Sequence, residues 1–163
     1  MPKTPANKAM ELTDESRRLA GLGRREEALA ASEQATGIYR QLAEAHPDLY
    51  QPHLAASLNN QSLHLAGLGR WEEALAAVEE AVTIRRRLAE SRPDTYRPRL
   101  AASLDNLADM LSSLNRDAEA SAARDEANAA RSGVGRSGKE PTGRRAAHWP
   151  SQVFRRRSAP GHP

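Results

Sequence analysis

The sequence predicts an all-α fold: a right-handed α-α superhelix, or solenoid, of about three helical hairpins, followed by a disordered basic C-terminal tail. Three observations predict it. Apolar residues make up 39% of the 163 and aromatics only 4%, and the apolar set is dominated by Ala and Leu, both strong helix formers. The chain repeats itself: Gly21-Leu22-Gly23-Arg24 returns 46 residues later as Gly67-Leu68-Gly69-Arg70, and loosely again as Ser113-Leu114-Asn115-Arg116. More than half of the positions in 12–54 are identical to those in 58–100. A period between about 20 and 50 residues with helical content marks stacked helical hairpins. Finally, Gly and Pro punctuate the repeat where helices should stop and start.

The hairpins are expected at residues 6–46, 52–92 and 98–131, after a lead of residues 1–5. Thr4-Pro5 offers an N-cap and a first helical residue. In the second unit, Leu54, Leu58, Leu65 and Leu68 fall at helical spacing, with Ala55 and Ser62 beside them. Pro52 suits the first turn of that helix, and Gly69 tolerates the left-handed conformation of a helix end. A second helix is predicted from Trp71 to Arg92. Its apolar stripe is Ala74, Leu75, Val78, Ala81, Val82, Leu88 and Ala89. Glu72 and Glu73 in its first turn and Arg85–Arg87 further along follow the order the helix dipole favours. Pro47 to Pro52 and Pro93 to Pro98 each bracket a segment predicted to be a loop, not helical throughout.

Small residues recur at the same step: Ala28, Ala74 and Ala120; Ala35, Ala81 and Ala127; Ser16, Ser62 and Ala108. Close helix crossings need small side chains at the contact points. With Gly23 to Ala28 and Gly69 to Ala74 spanning the hairpin turn, this pattern resembles the tetratricopeptide repeat over about residues 6 to 131. That repeat is usually about 34 residues long. The longer unit here is similar to the lengthened repeats of kinesin light chains, as are Leu58-Asn59-Asn60 and Leu104-Asp105-Asn106. The Ala/Arg-rich composition also resembles arrays of high-GC bacteria, often the sensor end of multidomain signalling ATPases. The chain departs from the family at the bulky aromatic positions, where it carries Leu or Val.

The resemblance implies a protein or peptide bound in a concave groove lined by the first helices. Asn60 and Asn106 are the groove asparagines it implies, and Asp14 holds the matching position in the first unit. A carboxamide offers a donor and an acceptor and so matches a peptide backbone. Asn59, Leu63, Arg17, Asp105 and Asp109 are the neighbouring candidates, and the three aspartates would favour a basic or neutral ligand. The alternative is that Asn59 and Asn60 bond across adjacent helices or face water. Trp71, just past a turn, reads as a lid over its hairpin.

The ends differ from the middle. The last helix offers Ala120, Ala123, Ala127 and Ala130 without Leu or Val, so it should pack weakly, and no obvious polar capping helix follows. Self-association through the terminal hairpins, or descent from a longer array, is therefore a second reading. Residues 132–163, rich in Gly, Ser, Pro and Arg, read as disordered. Their basic residues, counted from Arg131, include Arg155–Arg157 and face Glu140 alone; the remainder of the chain is mildly acidic. Trp149, Phe154 and Arg155–Arg157 carry a third reading, nucleic-acid contact by the tail.

Catalysis and cofactors find no support. The chain has no cysteine, which excludes disulfides, thiolate metal sites and a cysteine nucleophile. His46, His53, His64, His148 and His162 lack metal-ligand spacing. The Gly-Leu-Gly turns follow no strand and precede no Gly-Lys-Ser/Thr, so they are not phosphate loops. No apolar run reaches the roughly 18 residues of a membrane span or resembles a signal peptide. The expectation is a non-enzymatic, cytoplasmic protein without metal or cofactor.

Overall fold

In the computed structural model, which describes residues 4–133, the chain forms six α-helices: α1 Pro5–Gly21, α2 Arg25–Ala45, α3 Pro47–Gly67, α4 Trp71–Ser91, α5 Pro93–Ser113 and α6 Asp117–Arg131. Each helix packs along the next, so the helices form three stacked antiparallel hairpins. The expected tail lies outside the described residues from residue 134 onward.

The hairpin turns are three copies of one design. Gly23 and Gly69 hold φ +75°, and Asn115 takes the same left-handed role at φ 58°. Asn is the side chain that tolerates this conformation best after glycine. The N–H groups of Arg24, Arg70 and Arg116 each reach back 2.9 Å to Leu19, Leu65 and Leu111, satisfying a helix-end carbonyl. The same arginines pair with Glu27, Glu73 and Glu119 in the first turn of the following helix.

The connections between units correct the sequence expectation. Residues 47–52 and 93–98 are helical, and α3 and α5 begin at Pro47 and Pro93, with Pro52 and Pro98 inside them. A single residue, His46 or Arg92, separates one unit from the next. The 46-residue period therefore lengthens both helices, each 21 residues in the middle unit. Pro52 and Pro98 forgo one helical hydrogen bond each, to the carbonyls of Asp48 and Asp94. Both aspartates are exposed, so water can serve those carbonyls. The added turn carries Tyr50 and Tyr96. Tyr96 is buried between the guanidinium groups of Arg92 and Arg99, and Tyr50 packs near His46 and His53. Tertiary packing thus outweighs the local cost of the prolines.

The recurring small residues are the tightest contacts. Ala28, Ala74, Ala120, Ala35, Ala81 and Ala127 are fully buried, as are Ser62 and Ala108. Leu54, Leu58, Leu65, Val78, Val82, Leu100, Leu104 and Leu111 fill the space between the hairpins. Trp71 packs half-buried against this core, as a lid would. Helix α6 buries only alanines, and at 15 residues it is shorter than its counterparts. Charge adds to its docking: Glu126 pairs with Arg86 of α4, Arg131 with Asp105 of α5, and Arg124 lies 3.6 Å from Asp109.

Both outer edges of the stack are polar. Lys8, Glu11, Glu15 and Arg18 of α1 stand where α5 has Leu100, Ser103, Leu107 and Met110. Ser121, Arg124, Asn128 and Arg131 of α6, all exposed, stand where α4 buries Leu75, Val78, Val82 and Arg85. Stacks of this kind need a polar outer face on their terminal units to stay in solution. Helix α6 presents such a polar face.

Candidate functional site

The hairpins arrange the six helices in two rows. The row of second helices is tied by long ion pairs. Arg40 of α2 grips Glu80 of α4 at 2.5 and 2.9 Å, and Arg86 of α4 grips Glu126 of α6 at 2.7 and 2.6 Å. The row of first helices is tied more closely. Between α1 and α3, His64 Nε2 meets Ser16 Oγ at 2.8 Å; α3 and α5 touch directly.

Each first helix turns one stripe to solvent. It runs through Asn7, Met10, Asp14 and Arg17 on α1, through His53, Ala56, Asn60 and Leu63 on α3, and through Arg99, Ala102, Asn106 and Asp109 on α5. Asp14, Asn60 and Asn106 occupy one level of the three stripes, and Arg17, Leu63 and Asp109 the level one turn on. Six of the eight predicted groove residues therefore share one continuous face. On it Met10 is 55% and Leu63 46% exposed, apolar area that the fold leaves uncovered.

The other two, Asn59 and Asp105, sit one residue earlier; Asn59 points along the row, and Asp105 points across its hairpin to Arg131 of α6. Asn59 Oδ1 accepts from Ser103 Oγ at 2.7 Å and from Asn106 Nδ2 at 3.1 Å. Asn59 and Asn106 thus bond to each other across α3 and α5, as the alternative reading allowed for Asn59. Among the described residues no hydrogen-bond partner holds the Asn60 carboxamide. The three aspartates are each matched by an arginine: Asp14 by Arg17, Asp105 by Arg131, Asp109 by Arg124. The negative bias expected of this face is accordingly reduced.

Sequence reading missed the residues that support the face from behind. Arg85 is buried, without a carboxylate partner; it donates to the Arg99 carbonyl at 2.7 Å and to Ser103 Oγ. Burial, with the nearby positive charge of Arg99, pulls its guanidinium down to about 10. In the unit before, Tyr39 holds this position, lies beside Thr13 and stacks on His53 at 5.4 Å; burial raises its phenol. The available signal was one anomaly of the repeat: an arginine in the otherwise apolar stripe of the second helix. His64 is pushed below its usual range by burial. Ser16 donates to the Ala28 carbonyl, so His64 Nε2 is the donor to Ser16.

Among the described residues, no group of three His, Cys, Asp or Glu is arranged to hold a metal ion, and no helix is long and apolar enough to cross a membrane.

The comparisons with known proteins fit this architecture. A tetratricopeptide repeat model matches residues 54–94. No curated protein matches the sequence. The crystal structure of BtubC (BKLC) from P. vanneervenii is similar over 86% of this chain, with a TM-score of 0.67 and 21% identity. This chain spans about half of that one, 52% of its length, and the likeness is one of fold. Repeats of this kind serve in general as protein-interaction surfaces. Residues 54–94 thus match a tetratricopeptide repeat, and the same hairpin recurs at a 46-residue step on either side of it.

Proposed function

We propose that the chain is a non-enzymatic scaffold whose first-helix face binds an extended segment of a partner protein. The observation that carries this reading is the alignment of Asp14, Asn60 and Asn106 on one level of three parallel helices, beside the uncovered side chains of Met10 and Leu63. A free carboxamide pairs with a peptide backbone without regard to sequence, and an exposed apolar patch supplies the anchor. Because each aspartate on the face has an arginine beside it, the segment that fits is an uncharged one with an apolar side chain near Leu63. The resemblance to bacterial sensor arrays extends the reading to a cytoplasmic sensor arm of a signalling system.

The test uses partners captured on the intact chain. A groove partner is lost by Leu63→Glu and weakened by the double substitution Asn60→Ala/Asn106→Ala. It is retained by Glu80→Ala, on the opposite row. A partner indifferent to both groove variants would exclude the face as its binding site.

A further inference from the structure

We infer that Arg85, Ser103 and Asn59 form a polarity lock that fixes which way the Asn106 carboxamide faces, so that its Oδ1 is the acceptor offered to N–H groups on the ligand. Arg85 is the fixed end of the chain, because a guanidinium only donates. Its Nη1 donates to Ser103 Oγ, which is fully buried. The Ser103 hydroxyl proton must then go elsewhere, and it goes 2.7 Å to Asn59. The Asn59 atom at that point is therefore the oxygen. The same oxygen faces Asn106 at 3.1 Å, so Asn106 presents its Nδ2 there. What Asn106 has left over is Oδ1, which is not buried, together with the second Nδ2 hydrogen.

The preceding unit lacks the device, for reasons the structure supplies. Thr36 spends its proton on the Ser32 carbonyl at 2.9 Å, so Ser57, the counterpart of Ser103, donates to Thr36. Thr13, the counterpart of Asn59, donates to the Ala9 carbonyl and has Tyr39 beside it. Nothing is left to orient Asn60. In the next unit Val82 replaces Thr36 and Arg85 replaces Tyr39, and these two exchanges release Ser103 and start the relay. The face thus carries one carboxamide free to turn and one that is set. Arg85, Ser103 and Asn59 are positioning residues: they act on a ligand only through Asn106.

This inference rests on the groove reading above, but its core is testable without a partner. Side-chain amide exchange is followed by NMR on the isotopically labelled full chain. The Asn106 amide proton bonded to Asn59 should exchange about fivefold more slowly than those of Asn60, the factor that one net hydrogen bond confers. Ser103→Ala should remove the difference. Asn59→Asp should keep it, because a carboxylate still accepts from both donors. Two probes then read the exposed atom. N-methylacetamide, which carries an N–H, should shift the Asn106 signals more than N,N-dimethylacetamide, which carries none; Asn60 should respond to both. Equal exchange rates for Asn60 and Asn106 in the unmodified chain, or an Asn106 that answers both amides alike, overturn the lock. Failure of the groove reading is distinguishable, because partner binding indifferent to Leu63→Glu leaves the exchange rates as they are.

Discussion

Arg131 forms an ion pair with Asp105 at the two positions that Arg85 and Asn59 hold one unit earlier and Tyr39 and Thr13 hold two units earlier. Arg131 reaches the first helix of its own hairpin, whereas Arg85 donates to Ser103 and to the Arg99 carbonyl on the first helix of the next. The partners change with burial. Tyr39 lies beside the Thr13 hydroxyl, Arg85 reaches the carboxamide through buried Ser103, and Arg131, at the solvent edge, reaches a carboxylate. An exposed end tolerates a full ion pair, whereas the interior uses neutral oxygens.

The contrast predicts unequal costs. Asp105→Asn should lower stability by less than about 1 kcal/mol, the range of exposed pairs, because both side chains are more than 40% exposed. Arg85→Ala should cost about 2–3 kcal/mol, since it removes a buried stem and leaves Ser103 short of a donor. Urea unfolding of the two variants measures both. A larger loss for Asp105→Asn than for Arg85→Ala would contradict this account.

Pro52 offers a test of the inter-unit connection. In a helix, alanine at this position restores the hydrogen bond to Asp48, so Pro52→Ala should raise stability by about 1 kcal/mol, after allowing for proline's stiffening of the unfolded chain. A loop held between two prolines would instead lose stability on the same change. Thermal unfolding separates the two signs.

The hairpin turns give a paired expectation. Gly69→Ala places a side chain at φ +75° and should cost about 1 kcal/mol. Nothing lies within 4 Å of the added carbon, so the cost is conformational and not a clash. Asn115→Gly should gain a few tenths of a kcal/mol at the equivalent position, roughly the residual preference of glycine for this region. Differential scanning calorimetry reads the two opposite shifts.

His64 makes stability depend on pH. Burial lowers its folded pKa below the ordinary histidine value of about 6.5, so the unfolded chain binds more protons as pH falls through that value. Its contribution is fully present above that pH and is lost progressively down to the folded value. His64→Met copies Met110, which fills the same position one unit later and is buried there. The variant should lose less stability between pH 7.5 and pH 5 than the unmodified chain. Denaturant titrations at the two pH values decide it, and identical losses would remove His64 as the cause.

The row of second helices predicts a repeated coupling. Arg40–Glu80 and Arg86–Glu126 have the same geometry one unit apart, each with nearly half of the arginine exposed. Double-mutant cycles at the two pairs should give similar couplings, each about 0.5 kcal/mol and both reduced by salt. A coupling confined to one pair would show that the hairpins do not stack alike.

Much of this was open to a reader of the residues alone. The 46-residue step fixes which side chains are equivalent, and helical geometry then places Asp14, Asn60 and Asn106 on one face, because stacked copies repeat their orientation. The buried alanines and the left-handed turns follow from steric limits that act within a few residues: close helix crossings admit only small side chains, and positive φ admits Gly and then Asn. Other features depend on partners far along the chain. Whether Pro52 breaks a helix was decided by the burial of Tyr96 and the packing of its counterpart Tyr50, which local propensity does not contain. Asn59 turns toward α5 and not into the groove because buried Ser103 needs an acceptor, and Ser103 needs one because Arg85 already donates to it. Propensity and period act locally and set the helices and their register; hydrogen-bond direction depends on which donors and acceptors burial leaves without water, and only the tertiary structure decides that.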